Sequence, residues 1–70
     1  MQYTVMIEKA PTSYGASVPD LPGCVAVADT LEEVVRLIKG AIEMHLDGMR
    51  EDGDPIPVPS TTAAVIEVAA

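Results

Sequence analysis

The chain has 70 residues and a formal net charge of −7, with eleven acidic side chains against four basic ones. That balance argues against direct nucleic-acid binding, which needs clustered Lys and Arg against phosphates. Cys24 is the single cysteine, so neither a disulfide framework nor a CxxC metal or redox motif exists. No apolar run approaches the ~20 residues of a membrane span.

A chain of this length forms one domain over residues 1–70 and buries only about 60% of its unfolded surface. With no Phe or Trp and two Tyr, its core must be aliphatic and marginal, and oligomerisation is the natural way to add stability. A lone thiol fits a reducing compartment. Lys9 and Pro11 interrupt the apolar N-terminal stretch, so no signal peptide is expected and the cytoplasm is the expected location.

Gln2 to Lys9 alternates as a strand does, with Tyr3, Val5 and Ile7 on one face and Thr4, Met6 and Glu8 on the other. Ala10-Pro11-Thr12-Ser13 supplies a turn, and Tyr14 to Val18 alternates again, which predicts an antiparallel hairpin. Pro19-Asp20-Leu21-Pro22-Gly23 cannot be regular structure, because two prolines lack amide donors and a glycine frees the backbone. Cys24 to Ala28 is a third strand, apolar on both faces, the pattern of a strand covered on both sides.

Thr30 to Gly53 carries the signals of a helix. Thr30 and Glu33 have capping-box spacing, Glu32 and Glu33 complement the dipole at the first turn, and Arg50 lies near the last. Gly53 is placed as a left-handed C′ residue, and Pro55 prevents continuation. Leu31, Val34, Val35, Ile38, Ile42, His45, Leu46 and Met49 form the main apolar stripe. Leu37, Ala41, Met44 and Gly48 form a second, offset stripe, and together the two cover roughly 200° where one packing surface needs about 100°. Either the flank meets another chain or it is small filler around one exposed leucine.

Pro55-Ile56-Pro57-Val58-Pro59 reads as a stiff crossing segment with polyproline character. Thr61 to Val68 is β-rich and is expected to return parallel to the first strand. The expected architecture is therefore α+β in the order β-β-β-α-β: an antiparallel three-stranded sheet, a C-terminal strand parallel to strand 1, and one helix on one face.

The search for chemistry finds little. His45, the only histidine, sits in the helix stripe, and Cys24 reads as a small buried hydrophobe. One His and one Cys fall short of a zinc site. Glu8, Glu43 and Glu67 are the candidates for a two-metal nuclease centre, but Glu43 lies on the polar arc of the helix, away from the sheet. No catalytic residue, metal or cofactor is expected.

Val18-Pro19-Asp20-Leu21-Pro22-Gly23-Cys24, then Ala28-Asp29-Thr30-Leu31-Glu32-Glu33, a long helix, Gly53 and Ile56-Pro57-Val58-Pro59 follow one another in an order that resembles the N-terminal domain of HicB-type antitoxins. The resemblance runs from Tyr3 to about Val68. It implies a partial, degenerate RNase H-like fold without catalysis. It also implies a HicA-type toxin as partner, a small basic ribonuclease whose active surface the antitoxin masks. Members usually continue into a DNA-binding helix-turn-helix or ribbon-helix-helix segment; no such segment follows within this sequence, so transcriptional autoregulation is not carried over.

Tyr14, Pro19, Asp20, Leu21, Pro22 and Gly23 are the expected partner-contact residues, since a proline-framed loop binds at low ordering cost. The same loop can equally serve only to join two strands, with Asp20 capping its turn. Met6, Val25 and Val27 on the second sheet face, with Leu37, Ala41 and Met44 on the helix flank, are the candidates for self-association as a homodimer or homotetramer. Two other functions compete with the antitoxin reading: an orphan homo-oligomer or small-ligand carrier, and a relict metal-dependent nuclease.

Overall fold

In the computed structural model, which describes residues 1–69, three strands and one helix make up the regular structure: β1 (Met6–Lys9), β2 (Tyr14–Ser17), β3 (Val25–Ala28) and α1 (Leu31–Asp52). The sheet is antiparallel with order β1-β2-β3, so β2 is central and both β1 and β3 have an open edge. The first three expected strands are present, each shortened at one end.

Register assigns the faces. Ile7, Ala16 and Ala26 share one row and Tyr14 and Ala28 the next, and these point toward the helix. Met6, Ser17 and Val25, then Glu8, Gly15 and Val27, occupy the opposite face. Alanines thus line the inside of β3 and the centre of β2, with Ile7 and Tyr14 beside them, while the two valines of β3 stand outside.

The helix ends as its sequence specifies. Thr30 is extended (φ −128°, ψ 157°), and its Oγ1 accepts from the Glu33 amide at 3.1 Å. Gly53 is left-handed (φ 73°, ψ 16°), its amide donating to Arg50 O (3.2 Å) while Asp54 N donates to Met49 O (2.9 Å), the paired closure of a Schellman motif. Val34, Ile38 and Leu46 are buried against Ala16 and Ala28, and Val18, Leu21 and Cys24 complete the core from the β2–β3 loop. Ile42, His45 and Met49 of the main stripe are half-buried, whereas Leu31 and Val35 stay exposed.

The strand expected over Thr61–Val68 is not formed. Residues 62–69 are exposed and belong to no ladder, so the sheet has three strands and β1 keeps its outer edge free. The chain crosses back through Ile56, which packs against the core, then extends away from the domain. β propensity reflects packing on a half-buried surface, and this segment has no such surface beside it.

The caps and core set the cost of three substitutions. Ile38→Ala should lower unfolding free energy by about 2–5 kcal/mol, whereas Val35→Ala on the exposed side should change it by about 0.5 kcal/mol. Gly53→Ala should cost about 1–2 kcal/mol, because a Cβ is disfavoured at its positive φ. Urea denaturation followed by helical circular dichroism measures all three.

Candidate functional site

The β2–β3 loop is two consecutive turns, each with proline at its second position. Leu21 N donates to Val18 O (3.0 Å) across Pro19-Asp20, and Cys24 N donates to Leu21 O (3.1 Å) across Pro22-Gly23. Gly23 has φ 86°, as the third position of a type II turn requires, and Val18 N to Cys24 O (3.3 Å) closes the loop at its base. Leu21 is fully buried. The loop is therefore anchored from inside by its own leucine, leaving Pro19, Pro22 and Gly23 exposed.

Asp20 does more than cap a turn. Its Oδ2 accepts from the amides of Ser60 (2.9 Å) and Thr61 (3.1 Å), and its Oδ1 accepts from the hydroxyls of Ser60 (3.1 Å) and Thr61 (2.8 Å). Those bonds, the Ser60 amide foremost and then the Thr61 hydroxyl, favour the charged form and bring the carboxyl pKa down from 3.8 to about 2. Nearby, Thr4 Oγ1 donates to Thr61 O (2.6 Å) and the Tyr3 hydroxyl donates to Pro57 O. Three remote pieces of chain, residues 3–4, Asp20 and 57–61, meet at one point.

The structure separates some of the residues grouped from sequence. Tyr14 opens β2 and is half-buried against the core, while the loop follows the other end of that strand, about 13 Å away at ~3.3 Å per residue. Leu21 offers no surface to a partner, and Asp20 is committed to Ser60 and Thr61. The expected self-association residues, by contrast, lie together. Val25 and Val27 are 63% and 68% exposed beside Met6 on the outer sheet face. Around the open edge of β3, a groove of about 530 Å³ joins the two valines, though not Met6, to Leu37, Ala41 and Met44 of the helix flank.

The acidic candidates do not converge. Glu8 lies on the outer sheet face, Glu43 on the exposed side of α1 and Glu67 in the extended C-terminal segment. Among the described residues, no three His, Cys, Asp or Glu side chains are grouped so as to hold a metal. Cys24 is buried, and desolvation pushes its thiol pKa up, away from an activated thiolate. Among the described residues, no helix is long and apolar enough to cross a membrane.

Fold and surface together define a small α+β module with a rigid double-turn loop and an open apolar face. The chain belongs to the HicB-like antitoxin family of bacterial toxin–antitoxin systems, whose sequence pattern it matches over residues 3–69. Among relatives, an uncharacterized 14.9 kDa protein of the rep-hol intergenic region of Haemophilus phage HP1 is 46% identical over 57 residues, covering 81% of this chain and 43% of the phage protein. A UPF0150 protein of Archaeoglobus fulgidus is 39% identical, covering 83% of this chain and 88% of its own. Antitoxin HicB 2 of Photorhabdus laumondii is 35% identical, covering 100% of this chain and 51% of its own. The chain thus spans less than half of the phage protein, about half of the Photorhabdus one, and most of the archaeal one.

The tether of the C-terminal segment is testable through Asp20. Its pKa is depressed in the fold, so its contribution is fully present above the ordinary carboxyl value of 3.8 and is lost as pH falls through about 2. In Asp20→Ala the Ser60 and Thr61 amides should exchange rapidly with solvent while the amides of α1 keep their protection. An NMR carboxyl titration of the parent chain should show the Asp20 midpoint near 2.

Proposed function

We propose that the chain neutralises a HicA-type toxin, a small basic ribonuclease, by covering its active surface, and that it acts by binding without catalysis in the cytoplasm. The family match over residues 3–69 carries this reading. The charge supports it: a −7 chain is electrostatically complementary to a basic partner, and complementary fields speed encounter and select partners. Asp47 pairs with Arg50 at 3.1 Å, but Glu51, Asp52 and Asp54 crowd the C-terminal end of α1, where the dipole disfavours acidic groups.

The double-turn loop is the contact element in this reading. Pro19, Pro22 and Gly23 meet the toxin, while Asp20 and Leu21 hold them in place, one by hydrogen bonds and the other by burial. Tyr14 contributes from the far end of β2, as part of a wider footprint. Self-association uses Met6, Val25 and Val27 with Leu37, Ala41 and Met44, a surface on which a charge would be stranded without a partner.

Stoichiometric addition of the chain should suppress RNA cleavage by a purified HicA-type ribonuclease, and the complex should weaken as ionic strength rises. Undiminished cleavage with excess chain would overturn the reading. Pro22→Arg, exposed on the second turn, should weaken the complex about tenfold, equivalent to about 1.4 kcal/mol, with an unchanged melting curve. For self-association, Val27→Glu and Leu37→Glu should each lower the sedimenting mass; an unchanged mass in both would make this face ordinary surface.

A further inference from the structure

Asp20 belongs at once to the double-turn loop and to the fastening of the returning chain. It is the third residue of the first turn, yet the four hydrogen bonds of its carboxylate all run to Ser60 and Thr61. Oδ2 takes the two amides and Oδ1 the two hydroxyls, so each residue is gripped by backbone and side chain together. From the other side, the Tyr3 hydroxyl donates to Pro57 O and Thr4 Oγ1 to Thr61 O. Residues 57–61 are thus clamped between the N-terminal stretch and the loop, whereas residues 62–69 beyond them are exposed and join no ladder.

This geometry makes the two sides of the clamp depend on each other. The bond that closes the first turn, Leu21 N to Val18 O (3.0 Å), spans Pro19 and Asp20, so the carboxylate meets its four donors only while that turn is formed. Leu21 and Cys24 are buried and fix the base of the loop, which leaves the Pro19-Asp20 corner as its adjustable part. The bonds to Ser60 lie at the surface and those to Thr61 are only partly buried. Water competes for such donors and acceptors, so this contact opens at far lower free energy than the helix and core unfold.

We infer that Asp20, Ser60 and Thr61 form a coupling clasp, in which the ordering of residues 57–61 and the presentation of the loop's outer corners reinforce each other. A partner docked on Pro19, Pro22 and Gly23 then tightens the root of the C-terminal segment. By reciprocity, whatever takes hold of that segment alters the affinity of the loop. The clasp is one anion closed on four donors, so a second anion beside Asp20 opens it. The identity of the docked partner rests on the toxin-binding reading, while the link within the unbound chain stands without it.

The test is amide exchange by NMR on the full-length parent, Ser60→Ala/Thr61→Val and Ser60→Asp, alone and with a purified HicA-type ribonuclease. These substitutions lie outside both the loop and the core, so the α1 amides should keep their rates. In both variants alone, the Leu21 amide should exchange about three- to tenfold faster than in the parent, the worth of one net hydrogen bond. Adding the ribonuclease to the parent should slow the Ser60 and Thr61 amides by a similar factor, and Ser60→Asp should abolish that gain. Unchanged Leu21 exchange in both variants would overturn the inference, whether or not the ribonuclease binds. So would a complex, detected by calorimetry, in which Ser60 and Thr61 keep their unbound rates. Slowing that persists in Ser60→Asp would mark direct cover by the ribonuclease and would equally overturn it. If no complex forms, the toxin reading fails and Leu21 exchange alone decides the clasp.

Discussion

Everything in this fold depends on the close approach of one long helix to the alanines at the centre of a sheet face. Ala16, Ala26 and Ala28 line the inner rows of β2 and β3, and Val34, Ile38 and Leu46 fill the space that those methyl groups leave. Because the helix supplies the bulk there, β3 has no need of large side chains inside, and Tyr14 of β2 packs at the margin. The larger β3 residues, Val25 and Val27, consequently sit on the other face. A chain without Phe or Trp can close a core this way, but only one side of the sheet is closed.

The second constraint is the loop that seals the end of that core. Leu21 enters the interior while Asp20, its neighbour, faces the returning chain, so two adjacent side chains fasten the loop to different parts of the molecule. Two prolines restrict the backbone between those fastenings. The exposed corners are thus presented by a frame whose conformational freedom is already spent in folding, which lowers the ordering cost of any contact they make.

How much of this was legible in the sequence depended on the range of each interaction. The helix caps were, because Thr30–Glu33 and Gly53–Arg50 act within one turn. The strands were, through alternation over a few residues. The Asp20 tether was not: it joins residues 40 and 41 positions apart, and nothing local distinguishes an aspartate that caps its own turn from one that grips a distant Ser-Thr pair. Tyr14 was grouped with the loop by proximity in sequence, yet a strand's length separates them. The last strand misled for a related reason. Val65, Ile66 and Val68 record a preference for a pleated, half-buried surface, and sequence does not say whether that surface lies on the same chain.

The distribution of charge separates the two associations proposed for this small acidic domain. Like molecules of charge −7 repel one another, and a basic protein is drawn to them, so one electrostatic field opposes self-assembly and favours a heterologous complex. Neutral surface remains in two places, the apolar face around β3 and the nearly uncharged C-terminal segment, and the proposed self-association draws on the first. The acidic groups cluster elsewhere, above all at the C-terminal end of α1. Screening by salt should therefore act oppositely on the two, weakening the charged contact while easing repulsion between copies. Segregating charge from apolar surface in this way gives the proposed self-association and the proposed toxin contact separate faces.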